Sequence, residues 1–79
     1  MNILLFGITR DIVGRHQLDG EEFKDLSTVG DLRNHLQQKY PDLQKLSSLN
    51  IAVNEEMRED SFIISGRDEI ALIPPVSGG

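Results

Sequence analysis

The stretch TVGDLRNHLQQKYP, Thr28–Pro41, decides how the chain folds. Val29, Leu32, Leu36 and Tyr40 recur at spacings of three and four residues, so they share one face of a helix. Thr28 is placed to cap it, and Asp31 stands in the first turn, where the helix dipole favours a negative charge. Pro41 forces an end near Lys39 or Tyr40. An amphipathic helix of this kind must bury its stripe against another element, and the sequence on either side supplies strands.

Toward the N-terminus, Ile3-Leu4-Leu5-Phe6 is nearly all apolar and continues past Gly7 to Ile8, which predicts a central strand covered on both faces. Thr9 resembles a helix cap and Gly14 a helix stop, with Arg10–Val13 forming a single turn between them. His16 to Phe23 reads as an edge strand with Leu18 and Phe23 as its apolar points and a turn or bulge at Asp19-Gly20. Toward the C-terminus, a loop dotted with Leu43, Leu46 and Leu49 leads to alternation at Ile51 and Val53. Asn54-Glu55-Glu56 reads as a reversal into a short strand holding Met57. A loop with Phe62, Ile63 and Ile64, and a turn at Gly66-Arg67-Asp68, precede a last strand, Glu69 to Ile73. Two strands, a crossover helix and further strands suit one mixed α+β sheet with the helix on a single face.

Seventy-nine residues predict one domain, 1–79, with a small core and no roomy internal active site. The absence of Cys removes disulfides, thiolate nucleophiles and zinc–thiolate sites. A net charge of -5 without a basic stripe argues against nucleic acid, and the scattered acids read as a solvated surface or as steering toward a basic partner. The opening residues lack a basic flank and a cleavage pattern, so no membrane partner and a cytoplasmic protein are expected.

The ending IPPVSGG, Ile73–Gly79, is the most unusual feature. Pro74 and Pro75 lack N–H donors and fix φ, which stops the sheet ladder and sends residues 74–79 outward as an extended, flexible tail. Six residues reach about 19 Å. Gly78 and Gly79 have no side chains, so this backbone suits a channel too narrow for any other residue. Terminal glycines are ordinarily frayed ends. Glycines behind a rigid Pro-Pro spacer, on an apolar last strand, are far more specific, and they would present one group, the Gly79 carboxylate, to another protein's active site.

Taken together, ALIPPVSGG, NILLFGITRDIVG, TVGDLRNHLQQKYP and AVNEEM cover most of the chain and resemble the small, sulfur-carrier subunits of molybdopterin synthase, the MoaD family. The resemblance implies a ubiquitin-like β-grasp fold of about five strands on one main helix. It also implies that Gly79 is adenylated with ATP by an activating (MoeB-like) enzyme and converted to a thiocarboxylate with sulfur from a donor. The sulfur would pass to a cyclic pyranopterin precursor inside a large, MoaE-like subunit of a heterotetrameric synthase, with Gly78 threading the entrance. No cofactor would be bound, since ATP belongs to the activating partner. An acyl-adenylate gives a poorly electrophilic carboxylate a good leaving group, which accounts for a sulfur carrier without cysteine.

No acid–base constellation is visible in the chain itself. His16 and His35 lack cluster spacing, and Glu21-Glu22 and Glu55-Glu56, taken as strand neighbours, point to opposite faces. Alternation in the last strand puts Ile70 and Leu72 toward the helix and leaves Ile73 outside. Ile73, Pro75, Val76 and Met57 are therefore expected to form an apolar patch for the large subunit. The alternatives are sulfur carriage for thiamine or transfer-RNA thiolation, a ubiquitin-like modifier that joins Gly79 to lysines, and a passive interaction module.

Overall fold

The first strand ends sooner than its apolar run suggests. In the computed structural model, which describes residues 1–75, β1 covers Asn2–Leu5 and a helix, α1, covers Gly7–Val13. Gly7 has φ +53°, outside strand space, so the chain turns there and the extended Phe6 becomes the residue before the helix. Thr9, expected as the cap, stands instead within the first turn. Its buried hydroxyl accepts from the Phe6 N–H at 3.0 Å and donates to the Phe6 carbonyl at 2.5 Å. Gly14 does end α1, left-handed at φ +84°, with its N–H on the Arg10 carbonyl at 2.7 Å.

The expected edge strand is also shorter. β2 covers Gln17–Asp19, antiparallel to β1, and a 3-10 turn takes over at Gly20–Phe23. The Asp19 carboxylate accepts from the Glu21 N–H at 3.1 Å and so caps that turn. A Cβ on Gly20 would stand 2.2 Å from the Met1 carbonyl oxygen, so only glycine fits. This turn swings Phe23, fully buried, beneath the sheet.

The main helix, α2, runs Val29–Lys39 from a reciprocal cap: Asp31 N–H donates to Thr28 Oγ1 at 3.1 Å and Thr28 N–H to the Asp31 carboxylate at 3.3 Å. Two further N-terminal donors are taken by the irregular segment before β5. Val29 N–H meets the Phe62 carbonyl at 3.0 Å and Gly30 N–H the Asp60 carbonyl at 2.9 Å. The segment is thus shaped by the helix it caps, and Ile64 is buried there with its N–H on the Ser27 carbonyl at 2.9 Å. After α2, the Leu-dotted loop opens with a 3-10 turn, Pro41–Lys45, that buries Leu43.

β3 (Asn50–Val53), β4 (Glu56–Met57) and β5 (Glu69–Ile73) complete one sheet in the order β2-β1-β5-β3-β4. Among the described residues only β1 and β5 pair in parallel. This is the β-grasp arrangement, with the N- and C-terminal strands side by side in the middle and α2 across one face. Ile3, Leu5, Ile51, Val53, Ile70 and Leu72 from the sheet meet Val29, Leu32 and Leu36 from α2. Burying each such side chain contributes about 1.5–3 kcal/mol. The expectation that β1 is covered on both faces fails, because Ile3 and Leu5 are buried whereas Asn2 and Leu4 are only half-buried. Among the described residues no element lies over the second face.

The β3–β4 reversal has Asn54 at φ +52° and Glu55 at φ +73°, a type I′ hairpin. Asn54 holds it to the foot of β5, accepting from the Glu69 N–H at 3.0 Å and donating to the Asp68 carboxylate at 2.9 Å. The Ser65 N–H, at 2.7 Å, is the main reason the Asp68 carboxyl lies below its ordinary value, with the Asn54 amide adding to it. A depressed pKa contributes stability that is full above the unfolded carboxyl's value, about 3.9, and is lost as pH falls through the folded one. Asp68→Asn should therefore flatten the acid limb of the melting-temperature profile below about pH 4; an unchanged acid limb would contradict this assignment.

Candidate functional site

The uncovered face of the sheet carries a row of side chains fixed by register. Leu4 pairs with Ala71, Ala71 with Ala52 and Ala52 with Met57, so the four lie in line across β1, β5, β3 and β4. The two alanines in the middle are flanked by larger neighbours and leave a shallow hollow of about 410 Å³. Phe6 and Ile73 line its end nearest the tail, and Glu55 and Glu69 line it as well. Met57 is 57% exposed and Phe6 48%, large values for side chains that share a surface with half-buried Leu4, Ala71 and Ile73. An apolar concavity with exposed large side chains at its rim is suited to contact with another molecule.

Polarity along the strands gives the hollow a direction. At the start of β5, Glu69 pairs with Asn2 and its backbone meets Asn54, so that end is polar. At the other end, Ile73 and Phe6 stand where β5 runs out into Pro74 and Pro75, both half-buried. The apolar surface therefore converges on the point from which the tail departs. Among the described residues neither Glu55 nor Glu69 takes part in an ion pair, so both carboxylates are available to a basic partner.

Of the sequence-predicted patch, the structure brings Met57 and Ile73 together on this hollow and puts Pro75 just beyond β5. Val76, Gly78 and Gly79 lie outside the described residues. Leu4, Phe6, Ala52 and Ala71 were missed. Reading Ile3–Ile8 as a strand buried on both faces hid Leu4 and Phe6, although plain alternation from Ile3 and Leu5 would have put them outside.

The other candidate carboxylates and histidines lie away from this hollow. Glu21 and Glu22 are not strand neighbours but belong to the 3-10 turn: Glu21 meets Lys24 at 3.0 Å, and Glu22 meets Lys39 and His35. The Lys39 ammonium is the main cause holding the Glu22 carboxyl below its ordinary value, and Glu22 in turn raises Lys39. Glu55 lies in the hairpin turn and Glu56 pairs with Arg58. The His35 ring stands edge-on to Phe23 with centroids 5.0 Å apart, and His16 is exposed while its carbonyl accepts from the Leu5 N–H at 2.9 Å. A larger hollow, about 630 Å³, lies by Arg33, Arg58 and Asp60, but Arg33 is already committed to Asp60 at 3.1 Å and to the Leu49 carbonyl. Among the described residues no three His, Cys, Asp or Glu side chains gather as metal ligands, and no helix is long and apolar enough to cross a membrane.

Comparison with known proteins agrees with this geometry. The sequence profile of the ThiS family matches residues 3–79. The molybdopterin synthase sulfur carrier subunit of Arabidopsis thaliana is 38% identical over 80 residues, covering 100% of this chain and 82% of that protein. Among solved structures, SAMP1 from Haloferax volcanii superimposes with a TM-score of 0.74 at 28% identity, covering 100% of this chain and 98% of that one. A putative molybdopterin converting factor subunit 1 from Pyrococcus furiosus has the same fold, with a TM-score of 0.82 at 19% identity and 95% of each chain covered.

Proposed function

Since the chain belongs to the ThiS family, we propose that it carries sulfur for molybdopterin synthesis as the small subunit of molybdopterin synthase. The observation that carries this reading is the apolar hollow on the open face, which leads from Met57 through Ala52, Ala71 and Leu4 to Ile73 and Phe6 at the tail's root. A partner seated there receives whatever Gly79 bears. The β-grasp body acts as a handle, and the chemistry takes place at the end of the tail.

The sequence of steps follows from the chemistry of a carboxylate. An activating enzyme joins the Gly79 carboxylate to the α-phosphate of ATP, with pyrophosphate leaving. Sulfide sulfur from a donor then attacks the acyl carbon and AMP departs, which leaves a thiocarboxylate. The large synthase subunit takes Gly78 and Gly79 into its site, where the sulfur passes to the cyclic pyranopterin precursor. The small chain contributes no acid or base of its own. ATP and precursor are bound by the partners.

A second reading, attachment of Gly79 to lysines as a ubiquitin-like modifier, is favoured by the similarity to SAMP1, small archaeal modifier protein 1. The two readings share adenylation and part afterwards. The thiocarboxylated chain, mixed with the large subunit and precursor, should yield the dithiolene-bearing pterin and regenerate the free carboxylate. Accumulation of lysine conjugates with no pterin product would instead establish the modifier.

A further inference from the structure

We infer that Gly7 is a positioning residue, the seat that sets the direction in which the tail leaves the body. β1 and β5 run in parallel with Leu5 opposite Leu72, so continuing that register sets Phe6 beside Ile73 and Gly7 beside Pro74. At this level the two chains part. Gly7 turns into α1 at φ +53°, while β5 continues straight into the prolines. The ring of Pro74 then lies directly over Gly7, with its Cγ 3.1 Å from where a Gly7 Cβ would be. That distance is a few tenths of an ångström tighter than ordinary van der Waals contact, and φ +53° strains any side chain there, so a residue with a Cβ at position 7 would press on the Pro74 ring from a strained turn.

The seat is held rigidly from behind. Buried Thr9 grips both the N–H and the carbonyl of Phe6 through one hydroxyl, at 3.0 and 2.5 Å. The peptide that leads into Gly7 therefore cannot rotate freely. Pro74 has a fixed φ and its ring rests on a fixed surface, so the first tail residue is constrained both by its own backbone and by its neighbour. The direction in which the chain leaves the body is thus set at Pro74. Gly7 consequently acts on the reacting group through Pro74, without touching it.

This inference rests on the sulfur-carrier reading for its functional consequence but not for its geometry. In single-turnover sulfur transfer with saturating large subunit, Gly7→Ala should slow transfer by about tenfold or more, since a misplacement of about 1 Å at a reacting group can cost about 100-fold. Its dissociation constant for the large subunit should change by less than about threefold, because the Met57–Ile73 face is intact. In a Pro74→Ala background, where the Cγ is gone, the same Gly7→Ala change should cost several-fold less than in the wild type, the remainder being the strain of a side chain at φ +53°. An equal cost in both backgrounds, a wild-type rate for Gly7→Ala, or a loss seen only in affinity would overturn the proposal. Should Gly7→Ala fail to fold, contacts between the Gly7 α-protons and the Pro74 ring protons in the wild-type NMR spectrum decide the seat alone, and their absence sinks it. Failure of wild-type protein to transfer sulfur refutes the functional reading and leaves that spectrum to judge the seat.

Discussion

Ile73→Lys should leave the domain folded and abolish its co-purification with the large synthase subunit. The last residue of β5 is only half-buried and points away from α2, and its backbone partner is Asn50 on β3, so the helix-facing core does not depend on it. Its side chain lines the tail end of the apolar hollow together with Phe6. A lysine there places an ammonium within the contact, where binding would strip its water, and truncating or charging such an anchor costs about 2–4 kcal/mol or more. That corresponds to an affinity loss of about 30-fold to 1,000-fold. The variant's thermal melt should stay close to that of the wild type. Full co-purification of a folded Ile73→Lys protein would remove the proposed docking face, whereas Arg67→Ala, on the turn before β5, should have no effect.

Removing Gly79 should have the largest effect of all on sulfur transfer and none on folding. The terminal carboxylate then belongs to Gly78, and it falls short of its former position by about 3.3 Å. Against a fixed active site in the partner this is several times the misplacement that costs about 100-fold, so transfer should drop below detection. Binding through the sheet face should persist. The truncated chain is therefore expected to compete with the full-length one for the large subunit while supporting no product. Normal pterin formation by the truncated chain would show that Gly79 is not the sulfur-bearing residue.

How much of this could be read in the chain beforehand depends on the element. α2 was legible because its stripe, its Thr28–Asp31 cap and Pro41 all agree. β5 was legible because strict alternation put Ile70 and Leu72 inside, and both are fully buried. The Asn54 reversal announced itself through a residue that tolerates positive φ, even though Glu55, which shares that conformation, does not favour it. The N-terminal strand misled because hydrophobicity does not distinguish the last residues of a strand from the apolar first turn of a helix. A glycine at φ +53° and a threonine hydroxyl turned back on Phe6 decide the matter, and both are tertiary facts. The segment 60–64 was opaque for a related reason, since its shape is set by the donors of a helix about thirty positions earlier in the chain. The site was half visible. Met57 and Ile73 could be found by alternation, but their alignment with Leu4, Ala71 and Ala52 needs the strand order, which no local pattern contains.

The same facts show why a chain this small suffices. Among the described residues the core is filled by the contact between the sheet and α2. What remains for function is one open sheet face and one end. The apolar hollow, the acidic residues beside it and the Pro74 ring on Gly7 all lie along the path to that end.

Sulfur carriage by Gly79 is open to intact mass spectrometry. The purified chain is incubated with its activating enzyme, ATP and a sulfide donor, then weighed whole and after cleavage into fragments. One oxygen should be replaced by one sulfur, dependent on ATP and confined to the fragment ending in Gly79. An unchanged mass in the presence of an activator shown to adenylate the chain, or sulfur found on any other fragment, would contradict it.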